Sequence, residues 1–261
     1  MNKNCLNYIR RYDEYYTKYE HVVDIFDNYI DKTELKDKII YCPCDSDKSN
    51  FVVYLKEHKE YIGYKELIYT SDDYNTHLEL FEKCDIVITN PPFSKLIKEF
   101  IPILNKVNKK FFILGSLISI WSYYNKFNDK ENVKFYVHNN YFNFDMPENI
   151  NLPNNPRYIY ISNMNVQYNH KKLNLFKKTD TSDIKCIKYK DDITKEIKEC
   201  NIRNYDRLGN IPYSEKGNII LVPSTVLFEH TRKYFDIISI IRSLEYSDNK
   251  SRYIRMLVKV K

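Results

Sequence analysis

With 261 residues and a 43% hydrophobic content, the chain can bury one full core, with room for a small appendage. It has no apolar run of membrane-spanning length, and its opening stretch "MNKNCLNYIRRYDEYY" carries no apolar signal region, so a soluble, cytoplasmic protein with no membrane partner is expected. A formal net charge of +6, from 41 basic and 35 acidic residues, suits a polyanionic partner without requiring one, and the six cysteines read as reduced thiols rather than a disulfide framework.

In chain order, "YDEYYTKYEHVVDIFDNYI" places Val22, Val23, Phe26 and Ile30 at helical spacing. "KDKIIYCPCDS" is a short apolar strand running into a polar turn. Cys42 and Cys44 stand two apart there with no partners at zinc-finger spacing, so a metal site is not expected. "SNFVVYLKEH" reads as a helix with Ser49 at its N-cap, "YKELIYTSDD" as a second strand, "THLELFEK" as a short helix and "DIVIT" as a third strand ending before Asn90. "SKLIKEFIPILNKV" is helical, with Pro102 expected to kink it or end its first part, and "KKFFILGSL" is a fourth strand. Strands and helices thus alternate over about 35–120, the pattern of a doubly wound, mostly parallel α/β sheet whose ligands bind beyond the carboxyl ends of its strands. "NVKFYVHNNYFNF", "RYIYISNM", "DIKCIKYK", "GNIILVPSTVLF", "YFDIISIIRS" and "SRYIRMLVKVK" read as further strands, which makes the second half β-rich. "LNLFKK" is a candidate extension of one of them, and "MPENINLPNNPR" is the most loop-like segment.

The densest chemical signal is "CDIVITNPPFSKLIKEF", from Cys84 to Phe100. Neither Pro91 nor Pro92 can donate to a ladder, and Pro92 holds Pro91 extended. The result is a stiff hook at a strand end that presents the Asn90 side chain and the carbonyls of Asn90 and Pro91, with the flat face of Phe93 beside them. Two acceptors held together form a clamp for an amino group, and an aromatic face can stack on the ring bearing it. The bland alternative is a strand terminator with Phe93 in the core.

The run Asn90-Pro91-Pro92-Phe93 resembles the catalytic motif of amino-group methyltransferases that use S-adenosylmethionine, and the chain is more narrowly similar to the EcoRI-type adenine-specific DNA methyltransferases. "DEYYT" resembles that family's N-terminal cofactor motif. "IIYCPCDSDKSNF" resembles its first strand and turn, where a Cys-Asp pair and Ser-Asn-Phe replace a glycine-rich loop. "ELIYTS" and "FFILGSLISI" fit later strands, and "NIPYSEKGNIILVPSTVLFEHTRKYFDII" and "RYIRMLVKVK" fit the C-terminal blocks. The resemblance implies a Rossmann-like methyltransferase sheet with extra β-rich C-terminal elements. It also implies a single domain over 1–261: a cofactor and catalytic half at about 1–125, substrate-facing additions at about 126–215 and closing strands at about 216–261. By the same resemblance Asn90 and Pro91 would hold the target amino group, Pro92 would stiffen the motif and Phe93 would stack on the base. Tyr16 and Thr17 would contact the methionine end of the cofactor; Pro43, Cys44, Asp45 and Ser46 would form its turn, with Asp45 facing its amino group. Thr70, Ser71, Asp72 and Asp73 would face its ribose or adenine. The implied substrate is double-stranded DNA with an adenine target swung out of the stack, and a cognate restriction enzyme is an allowed second partner.

Alternatives stay open from the residues themselves. The clamp fits any planar amino group, so RNA or a protein amide is a rival acceptor. A turn without glycine, in a chain with only four glycines, allows a catalytically silent DNA-binding module. Ser46 and Ser49 can serve as helix caps, Asp72 and Asp73 as solvated turn residues, and Trp121 with "SYYN" as either pocket lining or packing. "NHKK" and "FKK" near 169–178 are candidate phosphate contacts or solvated charge runs, and His21 and His138 receive no role.

Overall fold

The computed structural model describes residues 16–137, 158–166, 183–190, 197–241 and 255–261. The chain divides into two compact units, Met1–Asn169 and His170–Lys261. In the first, β1 (Ile39–Pro43), β2 (Glu66–Thr70), β3 (Ile86–Thr89), β4 (Lys110–Ser116), β5 (Lys134–Val137) and β6 (Tyr158–Ser162) form a six-stranded sheet in the order β2-β1-β3-β4-β6-β5. Strands β2, β1, β3 and β4 run parallel, and β6 is antiparallel to both β4 and β5. The first half of the chain therefore forms the alternating, mostly parallel sheet that its pattern predicts. "NVKFYV" and "RYIYIS" extend that same sheet on the β4 side.

The central strands are apolar through their middles because both faces are covered there. Ile40, Tyr41 and Cys42 of β1, Ile86, Val87 and Ile88 of β3, and Phe111 to Leu114 of β4 are all buried. On one face, Ile40, Cys42, Ile86 and Ile88 join a core with Val22, Ile25 and Phe26 of α1 (Tyr19–Asn28) and Phe51, Val52 and Leu55 of α2 (Asn50–Glu57). The period-two alternation of a strand turns Tyr41 to the other face. There its ring meets Phe81 of the helix Leu78–Lys83 at 5.1 Å, and Phe81 meets Phe100 at 5.8 Å. Here α3 is Lys59–Ile62 and α4 is Leu78–Lys83.

The helix after the Asn-Pro-Pro hook begins as α5 (Phe93–Lys95), passes through a π-helical turn at Leu96–Phe100 and resumes as α6 (Ile101–Val107). The Ile101 N–H bonds to the Leu96 carbonyl, and Pro102 falls in the first turn of α6. A proline is tolerated where no amide donor is needed, and Pro102 sits just past the change from π to α geometry within a helical stretch that runs unbroken from Phe93 to Val107. Gly115 of β4 meets a closer constraint. A Cβ there would approach both Ile161 and the Tyr123 ring to 2.8 Å. Tyr123 belongs to α7 (Ile120–Lys126), is fully buried and accepts a hydrogen bond from the Ser116 N–H through its hydroxyl. The aromatic run after Trp121 thus packs in part on β4, with Trp121 itself against Tyr124 at 5.7 Å.

The second unit holds a five-stranded sheet in the order β10-β11-β9-β8-β7. Its strands are β7 (Asp183–Lys190), β8 (Ile197–Asn204), β9 (Ile219–Pro223), β10 (Phe235–Ile241) and β11 (Arg255–Val260). All neighbours are antiparallel except the parallel β8–β9 pair. "GNIILVPSTVLF" forms a strand only as far as Pro223; a tight turn at Ser224–Leu227 and α8 (Glu229–Arg232) follow. The Thr231 hydroxyl lies within hydrogen-bond distance of the carbonyls of Thr225, Val226 and Phe228 and ties that turn down. "LNLFKK", "MPENINLPNNPR", "NHKK" and His138 lie outside the described residues. Among those described, no helix is long and apolar enough to cross a membrane.

Candidate active site

Strand β1 delivers its chain to the carboxyl edge of the first sheet, where Cys44 turns with φ +67°. This left-handed conformation costs an ordinary L-residue roughly 1–2 kcal/mol, and it is the conformation that glycine would adopt freely. The sharp turn without glycine is therefore made by a cysteine under backbone strain. It brings the Asp45 N–H to the Thr70 carbonyl at 3.0 Å, which joins the ends of β1 and β2.

The Asp45 carboxyl turns inward and is 6% exposed. It accepts hydrogen bonds from the Ser49 hydroxyl and, at 2.7 Å, from the Thr89 hydroxyl. Burial pushes its pKa up to about 6, and the two hydroxyls restrain that rise. Ser49 occupies the N-cap position of α2, but its side chain caps no helix amide and serves Asp45 instead. Burial also pushes the Cys44 thiol well above its usual range.

At the end of β3, the half-buried Asn90 donates from Nδ2 to Thr17 Oγ1 at 3.3 Å. Thr17 is itself buried, and its carbonyl accepts from Asn50 Nδ2 at 2.8 Å. Pro92 precedes α5, and its carbonyl accepts from the Lys95 N–H at 3.1 Å. Phe93 is half-buried and packs against the core cluster.

These elements enclose a cavity of about 700 Å3 at the carboxyl edge, within the roughly 300–1,000 Å3 of small-molecule sites. Tyr16, Thr17, Cys44, Asp45, Ser46, Ser71, Asp72, Asp73, Asn90 and Pro92, all singled out from sequence, line it. Four others do not. The Pro43 carbonyl lies within hydrogen-bond distance of the Thr89 hydroxyl, the Thr70 hydroxyl pairs with the Tyr41 hydroxyl at 2.8 Å, Pro91 is buried, and Phe93 packs as above. Lys48, Tyr74 and Lys95 line the cavity without having been anticipated. So does Asn50, which sequence reading placed in the turn without a role. Thr89, one residue before Asn90, holds Asp45, and its position beside the motif was the available signal.

The rim is acidic. Asp72 receives His77 Nε2 at 2.8 Å and Asp73 receives the Asn75 N–H at 3.0 Å, and these bonds hold both carboxyls below the usual range. Lys95 lies 3.8 Å from Asp73 and 3.9 Å from Glu99, and the Tyr74 hydroxyl donates to Glu99 at 3.1 Å. A cavity of this size, with Asp45, Asp72 and Asp73 on its walls beside Lys48 and Lys95, has room for a small-molecule ligand that carries a cationic group.

The sheet order, the turn after β1 and the Asn-Pro-Pro-Phe hook after β3 define a Rossmann-like methyltransferase. The family described as "Adenine-specific methyltransferase EcoRI" matches residues 72–261, and the chain belongs to that family. It is similar to the type II methyltransferase M.EcoRI of Escherichia coli, with 26% identity over 319 residues covering 95% of this chain and 93% of that one. Among solved structures, a candidate RNA methyltransferase of Pyrococcus horikoshii aligns with a TM-score of 0.35 and 13% identity, over 55% of this chain and 79% of that one. That likeness is too slight to carry weight, and the fold assignment rests on the sheet itself.

Proposed function

We propose that the chain methylates the exocyclic amino group (N6) of adenine in double-stranded DNA, with S-adenosylmethionine as methyl donor. The observation that carries this reading is the shared cavity: the Asn90 amide and the Asp45 turn, one suited to an amino group and the other to a cationic ligand, line the same space. The donor, when bound, supplies a methyl group already activated on a sulfonium. This chain's residues do the rest by holding groups in line. Asp45 and the acidic rim bind the cationic end. The strained Cys44 turn brings backbone close to the ligand, as a glycine loop does elsewhere.

The Asn90 side-chain oxygen and the backbone carbonyl beside it accept hydrogen bonds from the target –NH2. This orients the nitrogen lone pair toward the methyl group and stabilises the positive charge that grows on nitrogen. Because an adenine amino group inside a duplex cannot reach such a clamp, the base must swing out of the stack. The net charge of +6 favours the phosphate backbone. Family membership and the similarity to M.EcoRI support adenine in DNA over other acceptors. Equal amounts of duplex DNA, RNA and total protein, offered together with labelled donor, test the acceptor. Label in DNA is expected, and label confined to RNA or protein would replace this reading.

A further inference from the structure

We propose that Tyr16 supplies the aromatic face on which the target base stacks, the role that resemblance gives to Phe93. The inference rests on the function proposed above. A base lifted from a duplex loses the stacking of both its neighbours, and an aromatic side chain restores part of it because every base has a π-face. Such a side chain needs an uncovered ring at the wall of the cavity. Among the described residues, three aromatic side chains line that cavity: Tyr16, Phe51 and Tyr74. Phe51 is 1% exposed within the core cluster. Tyr74 is 2% exposed, with its ring edge-on to Phe100 at 5.3 Å. Phe93 stands outside the lining and packs against the core. The fold has already used these three rings. Tyr16 is 59% exposed.

The neighbour of Tyr16 fixes its place. Thr17 is buried, its hydroxyl lies 3.3 Å from Asn90 Nδ2, and its carbonyl accepts from Asn50 Nδ2 at 2.8 Å. The Tyr16 backbone is therefore one residue, roughly 3.8 Å, from an anchored contact with Asn90. A base whose amino group is held at Asn90 keeps its glycosidic side outermost, because that side stays joined to the duplex. Its ring spans the distance from Asn90 to the mouth of the cavity, where the Tyr16 ring is exposed. The methionine end of the donor is confined to greater depth. Its methyl group has to meet the amino nitrogen beside Asn90, and its cationic end is placed with Asp45, which is 6% exposed. Resemblance assigns Tyr16 to that end of the cofactor. Its exposure assigns it to the ligand that enters from outside.

The test uses a short duplex carrying a site that the wild type methylates in genomic DNA, made once with adenine and once with an abasic sugar at the target position. Tyr16→Ala should bind the adenine duplex more weakly than wild type by roughly 5- to 150-fold, the scale of one base–aromatic stack. It should bind the abasic duplex as the wild type does, since no base is there to stack. Tyr16→Phe, which keeps the ring, should match the wild type on both. Calorimetric affinity for S-adenosylmethionine should be unchanged in either variant. A Tyr16→Ala loss that is absent on the adenine duplex, or equal on the abasic one, would overturn the proposal. A second measurement needs no variant to fold: 8-azidoadenine at the target position, photolysed in the wild-type complex, should crosslink to Tyr16. Adducts that miss Tyr16, as at Phe93, would overturn it as well. Absence of any methylated site in DNA would instead overturn the proposed function and the stacking role built on it.

Discussion

Each unit of the molecule buries a carboxylate, and the two are held in different ways. In the second unit, Glu215 is 2% exposed and meets the Arg203 guanidinium at 2.7 Å, the Tyr205 hydroxyl at 3.0 Å and Asn218 Nδ2 at 3.1 Å. Its charge is matched within the fold, where it ties β8 to the turn before β9. In the first unit, Asp45 is nearly as buried, yet the side chains that hold it are neutral hydroxyls, and it lines an open cavity. Burying a carboxylate without a countercharge is costly, and the cost appears as a raised pKa. A buried acid matched by a guanidinium is complete in the folded chain. One held by hydroxyls at the wall of a cavity is the acid we propose to meet a cationic ligand. The contrast between the two acids does not draw on sequence similarity.

That contrast can be broken experimentally. The largest effect is expected outside both acids: Asn90→Ala should lower the methylation rate by a factor on the order of 10²–10³, the loss typical of one preorganised polar contact at a reacting centre. Cofactor affinity, measured by calorimetry, should change far less. Next, Glu215→Ala should destabilise the protein by about 2–4 kcal/mol in urea unfolding, because it strands buried donors and one partner of an ion pair. Its cofactor affinity should be unaltered.

Asp45→Asn should act in the opposite sense. Folded Asp45 keeps its proton up to about pH 6, whereas the ordinary carboxyl releases it near 3.8. The folded state therefore binds more protons between these values, and the wild type loses stability as pH rises through that window. Without ligand, Asp45→Asn should thus be more stable than wild type above pH 6, by about 1–2 kcal/mol, with the gain vanishing below pH 4. Wild-type cofactor affinity should tighten as pH rises through about 6, and Asp45→Asn should bind weakly with a flat pH profile. A destabilised Asp45→Asn with unchanged affinity would make Asp45 as structural as Glu215. The smallest effect belongs to Cys44→Gly, which should raise unfolding stability by up to about 1 kcal/mol by releasing the left-handed strain, with cofactor binding retained.

Much of the first unit was readable in the residues. Apolar runs such as "DIVIT" and "FFIL", alternating with helical spacing, specify a parallel sheet covered on both faces, and the polar stretches after Pro43, Thr70 and Thr89 fall together at its carboxyl edge. The glycine-free turn was readable as a departure, but not its solution. Whether Cys44 accepts a positive φ is decided by the Asp45–Thr70 bond and the buried carboxyl behind it, both contacts across strands. The task of Thr89 was hidden for the same reason, since its partner lies 44 residues away. In the second unit, β8 escaped notice because "IKECNIRN" carries Lys, Glu, Arg and two Asn where a strand pattern wants apolar alternation. Its pairing with β7 and β9, together with Arg203 reaching Glu215, makes the strand. Phe93, read as a stacking face for the base, lies half-buried against the core, a position that aromatic character alone does not reveal.

The most direct test of the central claim is methyl transfer itself. Unmethylated duplex DNA is incubated with the protein and S-adenosylmethionine carrying a labelled methyl group, then digested to nucleosides and separated. The label should appear in N6-methyladenine with the wild-type chain and disappear with Asn90→Ala. Label in another nucleoside, or equal N6-methyladenine from Asn90→Ala, would contradict the assignment of this cavity and its asparagine to adenine methylation.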